Sequence, residues 1–202
     1  IGLMISVSRF IPQTYRFIMD RRWDDVSWDI AGNTPYKRFS GIELEGKTLG
    51  LIGFGAIGNK VAKRALGFDM DILVYDPNIK SEALAGKAKL VDLDSLLSQS
   101  DFVSLHCKLT DQTRGMINKD TLNKMKKGSY LINTARGYLV NEDDLYEALK
   151  EKRIAGAALD VLIEEPINPN HPFLELQNLV ITTHIGGASY DIKNHQTSMI
   201  VQ

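Results

Sequence analysis

Seven short apolar runs recur from Thr48 onward: TLGLIG, DILVYD, AKLV, DFVSLH, SYLINT, GAALDV and LVITTH. Most are apolar throughout instead of alternating with polar residues, as strands buried on both faces should be. Stretches of helical character lie between them, at Asn59 to Leu66, Asp94 to Ser98, Asn118 to Met125 and Asn141 to Lys150. Asn141 before EDDLYEALK is a good N-cap, with acidic residues in the first turn. Strand and helix in alternation predict an α/β fold, a parallel sheet with helices on both faces. No internal repeat or low-complexity segment interrupts it.

The first 46 residues differ. Over residues 1–22, Leu3, Met4, Val7, Phe10, Ile11, Phe17 and Ile18 cover an arc wider than the roughly 100° stripe of a surface helix. Arg9, Gln13, Arg16 and Asp20 lie opposite, and Pro12 is expected to kink this helix or restart it as a first-turn residue. So wide a face wants more cover than one domain usually gives. Residues 23–46, with Gly32, Asn33, Pro35, Gly41 and Gly46, read as an irregular connection.

Composition narrows the partners. With 202 residues, 44% apolar and 24% charged, the chain is long enough to bury a real core. A formal net charge of −1 calls for neither nucleic acid nor an anionic membrane, and Lys124, Lys126 and Lys127 read as a solvated helix end. The lone Cys107 rules out an internal disulfide and suits a reducing compartment, so the cytoplasm is the expected location. No apolar run approaches a membrane span. The start at Ile1, with no basic stretch before an apolar one, reads as a fragment or trimmed chain and not as a signal peptide.

Within KTLGLIGFGAIGNKVAKRALGFDMDILVYDP (residues 47–77), Gly53, Gly55 and Gly58 form a G-x-G-x-x-G pattern. The pattern alone is weak, but a strand leads in, a helix leads out, and Asp76 ends the next strand 23 residues after Gly53. Gly53 allows the tight turn, Gly55 lets backbone approach a pyrophosphate, and Gly58 lets the helix pack on the strand. The helix N-terminus at Ala56 and Ile57 offers amide donors and a positive dipole end. Asp76 can accept hydrogen bonds from both hydroxyls of an adenine ribose and would repel a 2′-phosphate. A Rossmann-type, doubly wound, three-layer sheet that binds NAD in preference to NADP is the expectation.

The reaction must be read at the later strand ends, where ligands bind. Arg136, Glu165 and His184 lie in the loops that open there. Reducing a ketone with a dinucleotide needs a cation for the substrate, an acid to give a proton, and a group to orient that acid. Imidazole titrates near neutrality, which makes His184 the natural acid/base. A carboxylate such as Glu165 would fix its tautomer and favour its charged form. Arg136 can clamp a carboxylate bidentately while polarising a carbonyl. His106 reads as a strand-end residue, His171 lies in a Pro-flanked loop, and His195 falls on a helix expected to face solvent. Cys107 reads as a wall of the cofactor cleft, since the sequence sets no base beside it. No Cys/His cluster has zinc-ligand spacing, so no metal is expected.

LIGFGAIG…VYDP, LHCKLTDQTRGMIN, INTARG, ALDV…EEP and THIGGAS, in that order, resemble the NAD-binding domain of the D-isomer-specific 2-hydroxyacid dehydrogenases. The resemblance implies hydride transfer between NAD and a D-2-hydroxy or 2-keto acid, with Arg136 binding substrate and His184 as acid/base partnered by Glu165. It places Asp160 near the nicotinamide amide, and Cys107, Thr113, Thr134, Ala135 and Gly187 along the cofactor. It further implies a homodimer, residues 1–22 as a linker helix of the interface, 23–202 as the dinucleotide domain, and a separate substrate domain missing from this sequence. Lys108 stands where the family usually has proline, which loosens that loop and adds a charge near the cofactor. The rival class is an NAD-sensing, corepressor-like protein of the same fold.

Overall fold

The computed structural model describes residues 1–24, 34–84 and 86–190. Its centre is a parallel sheet of β1 (Thr48–Ile52), β2 (Asp71–Tyr75), β3 (Lys89–Leu90), β4 (Phe102–Leu105), β5 (Tyr130–Asn133), β6 (Gly156–Leu159) and β7 (Leu179–Ile181). Each strand falls in one of the seven apolar runs. Their spatial order is β3-β2-β1-β4-β5-β6-β7. The order reverses between β1 and β4, which opens a crevice at the carboxyl ends of those two strands.

The described helices are α1 (Gly2–Ser8), α2 (Ile11–Met19), α3 (Pro35–Arg38), α4 (Ala56–Ala65), α5 (Leu93–Gln99), α6 (Lys119–Lys124) and α7 (Glu142–Lys150). Successive strand residues serve two cores, as the period of two requires. Ile52, Val103, Leu105, Leu131 and Leu159 join a core with Leu96 and Leu97 of α5, Leu122 of α6, and Leu145 and Leu149 of α7. Leu49, Leu51, Phe102, Ile132 and Ala158 join the other, with Met4 and Val7 of α1 and Ala62 and Ala65 of α4. Leu49, Leu51, Leu105 and Leu131 are fully buried, each worth roughly 1.5–3 kcal/mol relative to exposure. These two cores rule out sliding any strand by one residue, because the slip would exchange its faces. The three-layer, doubly wound architecture is therefore as expected.

The N-terminal segment corrects the sequence reading. Residues 1–22 form two helices instead of one long linker helix, because Phe10 takes a left-handed φ of 54°. Pro12 sits in the first turn of α2, where its missing N–H leaves no gap. Met4 and Val7 are buried against the sheet and Phe17 beside Phe39, so this chain itself supplies much of the cover assigned to a partner. On α2 an apolar face stays exposed, through Ile11, Tyr15, Ile18 and Met19.

Asn141 caps α7 as expected, accepting the Asp144 N–H at 3.1 Å. Lys124 and Lys126 are paired instead of merely solvated, with Asp94 at 2.8 Å and Asp101 at 2.6 Å. His195 and residues 25–33 of the N-terminal connection lie outside the described residues. Among the described residues no helix is long and apolar enough to cross a membrane.

Candidate functional site

The glycine loop leaves β1 and starts α4. Gly53 has φ 95°, and a Cβ there would stand 2.6 Å from the Cys107 nitrogen. At Gly58 a Cβ would stand 2.3 Å from the Gly53 carbonyl oxygen. Packing alone excludes a side chain at both positions. Gly55 is different, with nothing within 4 Å of a Cβ placed on it. Its backbone faces open space at the mouth of a cavity of about 560 Å³, which Gly53, Gly55, Asp76, Cys107, Lys108 and Thr113 help to border. That volume falls within the roughly 300–1,000 Å³ of small-molecule sites. Asp76 Oδ2 accepts the Phe54 N–H and Oδ1 accepts the Asn78 N–H, both at 2.9 Å. Oδ1 also takes the Asn78 side-chain amide at 3.4 Å, while Oδ2 keeps a lone pair for a ribose hydroxyl, so the cradle fits the pyrophosphate and adenine ribose of a dinucleotide.

The loop after β4 forms the other lip of the crevice. Burial pushes His106 down to about 4, and its Nε2 lies 3.0 Å from Ser104 Oγ. Burial pushes the Cys107 thiol up, and its Sγ lies 3.7 Å from Met116 Sδ, the environment of a wall and not of a nucleophile. The Thr113 hydroxyl donates to the Lys108 carbonyl at 2.7 Å and accepts the Thr110 N–H at 2.8 Å. Those bonds pin the loop that the absence of a proline was expected to loosen, and they turn the Thr113 hydroxyl inward. A second space, about 400 Å³, continues along the sheet edge, bordered by Ile57, Cys107, Lys108, Thr134, Ala135 and Arg136. Ala56 opens α4 beside it.

Three further loops follow β5, β6 and β7. Asn133, fully buried, accepts the Ala135 N–H at 3.0 Å and donates to the Arg136 carbonyl at 2.8 Å, fixing the turn that carries Arg136. The Arg136 side chain is exposed, with Nη1 on the Ala135 carbonyl at 2.6 Å. Past β6, the buried Asp160 takes the Thr182 hydroxyl at 2.5 Å and the Ile185 N–H at 2.9 Å on Oδ1. Its Oδ2 takes the Gly186 N–H at 2.7 Å. Burial pushes the Asp160 carboxyl up, but these donors and the nearby His184 outweigh it and hold it below its ordinary value.

Asp160 thus clasps the loop that carries His184, whose φ of 58° is left-handed. Such a conformation costs roughly 1–2 kcal/mol in a residue with a Cβ, which the bonds to the next two amides offset. His184 Nδ1 lies 2.8 Å from Glu165 Oε2, and Glu165 Oε1 accepts the Leu162 N–H at 2.9 Å. Gly187 follows in the same loop and is exposed. The structure joins Asp160, Glu165 and His184 through hydrogen bonds. Arg136 shares no hydrogen bond with them, but its loop abuts theirs, since a Cβ on Gly137 would stand 2.1 Å from the Leu162 carbonyl carbon.

Two supports were not legible in the sequence. Glu142 accepts the Ile163 N–H at 2.9 Å and lies 3.4 Å from His171 Nε2, so it braces the loop that carries Glu165. His171 Nδ1 accepts the Phe173 N–H at 3.2 Å, which makes His171 a structural residue. Twenty-nine residues separate this pair, and no spacing rule links them. Among the described residues no three His, Cys, Asp or Glu side chains gather as a metal site.

The family described as D-isomer specific 2-hydroxyacid dehydrogenase, NAD binding domain, matches residues 1–186. A glyoxylate reductase of Thermofilum pendens is 43% identical over 201 residues, which are 98% of this chain and 57% of that protein. A D-3-phosphoglycerate dehydrogenase of Archaeoglobus fulgidus is 43% identical over 190 residues, 94% of this chain and 34% of that protein. The crystal structure of a Thermus thermophilus protein superposes with a TM-score of 0.86 at 37% identity, covering 99% of this chain and 60% of that one. The chain thus spans a third to three fifths of the proteins it matches. It belongs to the D-isomer specific 2-hydroxyacid dehydrogenase family, over that family's NAD binding domain.

Proposed function

We propose that this member of the family serves NAD-dependent hydride transfer between the nicotinamide and C2 of a small D-2-hydroxy or 2-keto acid. The observation that carries the reading is the 2.8 Å pairing of His184 with Glu165, on the carboxyl edge of the sheet whose first crevice fits a dinucleotide. When bound, the nicotinamide supplies or accepts the hydride.

The chain's own residues do the rest. Glu165 accepts the hydrogen bond from His184 Nδ1–H, which keeps that proton on Nδ1 and leaves Nε2 to give a proton to the substrate oxygen, or to take one in the reverse direction. Arg136 swings from the Ala135 carbonyl to the substrate, where its planar fork suits a carboxylate. Asp160 holds the His184 loop in place and offers its remaining lone pair toward the nicotinamide amide. Gly53, Gly55, Ala56, Ile57 and Gly58 face the pyrophosphate, and Asp76 the adenine ribose. Cys107, Thr113, Thr134, Ala135 and Gly187 border the rest of the cofactor.

His184 and Arg136 are both exposed, so excluding water from the keto acid calls for a further wall. A separate substrate domain, flanking a dinucleotide domain of residues 23–202, would supply it. The exposed Ile11, Tyr15, Ile18 and Met19 of α2 would meet a second copy in a homodimer, and the cytoplasm is the compartment proposed. Glyoxylate, hydroxypyruvate and phosphohydroxypyruvate are the substrates to test, the first and last prompted by the names of the relatives.

The experiment is NADH oxidation by the full-length protein against those 2-keto acids, beside His184→Ala. General acid–base help is worth about 10²–10⁴-fold, so the variant should lose turnover on that scale while still binding NADH. NADH binding without turnover of any 2-keto acid would favour a cofactor-sensing role instead.

A further inference from the structure

Three residues, His106, Cys107 and Lys108, border both the space beside Asp76 and the space beside Arg136. A ligand made of two linked nucleosides, one in each space, has its link beside these residues. In a dinucleotide that link is a diphosphate with two negative charges. The glycine loop from Gly53 to Gly58 has no cationic side chain, so it meets the link with amide N–H groups and the dipole of α4 alone. His106, held at about 4, is neutral at physiological pH. Arg136 borders only the second space. Among the described residues Lys108 is the one lysine or arginine on the first, and no carboxylate among them forms an ion pair with it.

We propose that Lys108 supplies the cation that neutralises the cofactor's diphosphate link, an inference that rests on the cofactor reading above. Two features of the chain suit it to this. Its backbone is fixed by the Thr113 hydroxyl on its carbonyl at 2.7 Å, so the side chain leaves from a defined point. Asp76, a carboxylate on the border of the same space, is held by the Phe54 and Asn78 amides instead. An exposed ammonium without an ion-pair partner gives up no existing pair when an anion arrives.

Calorimetric titration of NADH and of ADP-ribose, which lacks the nicotinamide, tests the assignment on the protein and on Lys108→Gln, Lys108→Arg and Lys108→Glu at low and high salt. A charge-assisted hydrogen bond to phosphate corresponds to roughly tenfold in affinity. Lys108→Gln should weaken both ligands by about that factor at low salt, with a shallower salt dependence. Lys108→Glu should weaken them further and Lys108→Arg should retain most of the affinity, all with unchanged unfolding midpoints. Lys108→Gln binding both ligands as the parent does, with the same salt dependence, overturns the proposal. So does a loss seen only for NADPH, titrated alongside them, which would put the charge at the 2′-phosphate. A parent protein that binds neither ligand removes the cofactor reading, and this inference with it.

Discussion

His184 Nδ1 stands 2.8 Å from one oxygen of Glu165, while the other oxygen of that carboxylate holds the Leu162 amide at 2.9 Å. The glutamate is therefore anchored to its own loop before it meets the histidine, and it presents a fixed acceptor to the imidazole. An ionised carboxylate only accepts, so Nδ1 carries the proton and Nε2 is left for the substrate.

That arrangement predicts the pH behaviour of Glu165→Gln. His184, and after it the Leu162 amide, hold the Glu165 carboxyl below its ordinary value. A depressed value means the pair persists at neutral pH and is lost only as pH falls below the ordinary carboxylate range. The parent's acid limb from this group should lie there, and the variant should lack it. The profile of kcat/KM against pH for both proteins is the measurement. An acid limb that is the same in both proteins would remove Glu165 from its role.

Asp160 leads to a different expectation, since its work is on backbone. It is buried, and it satisfies the Ile185 and Gly186 amides and the Thr182 hydroxyl. Unpaired buried donors cost about 1–3 kcal/mol. The loop follows β7, so Asp160→Ala should open it locally, without unfolding the sheet. Hydrogen exchange at Ile185 and Gly186 should quicken by roughly 5- to 150-fold, the range those energies imply. The carboxyl is held below its ordinary value, so its contribution is complete at neutral pH and fades as pH falls through and below the carboxylate range. The exchange difference between parent and variant should shrink in the same window. Equal protection at neutral pH would show that the clasp does not hold the loop.

Why some of this was legible and some was not follows from the range of each interaction. Strands buried on both faces announce themselves as continuous apolar runs, so β1 to β7 were recoverable, as was the Asn141 cap, which acts within three residues. The break at Phe10 was only half legible. Pro12 marked the restart, but the left-handed turn before it has no signature in a phenylalanine. Asn133 could have been found, since its bond to the amide two residues on is the ordinary habit of asparagine in turns. The Asp160 clasp and the Glu142–His171 brace span more than 20 residues, and only the folded sheet brings their ends together.

The three glycines of the loop should separate stability from binding. Gly53→Ala and Gly58→Ala drive a Cβ to 2.6 and 2.3 Å from backbone atoms, and Gly53 also has φ 95°. Overpacking of this kind costs roughly 1–3 kcal/mol, and the left-handed conformation adds roughly 1–2 at Gly53. Gly55→Ala meets nothing within 4 Å and should unfold within about 0.5 kcal/mol of the parent. Its methyl would nevertheless project where a pyrophosphate must approach, so NADH affinity should fall. Urea unfolding and NADH titration of the three variants give the comparison. Full NADH affinity in Gly55→Ala would mean that the dinucleotide does not pass over this turn.

Asp76 should set the choice between NADH and NADPH, and its two tasks can be separated by substitution. One task is structural: Oδ2 ties Phe54 of the glycine loop to the end of β2 through the 2.9 Å bond to its amide. The other is electrostatic, because a negative charge next to a 2′-phosphate is a like-charge contact worth several kcal/mol against binding. Asp76→Asn keeps an oxygen for the Phe54 amide, leaves the exposed Asn78 N–H to water, and removes the charge. Asp76→Ala removes both. If charge decides, Asp76→Asn should raise NADPH affinity at least tenfold relative to NADH, and unfolding should change little. Asp76→Ala should lose NADH affinity further, since the loop is then untied as well as uncharged. An unaltered preference in Asp76→Asn would mean that shape, not charge, excludes the 2′-phosphate.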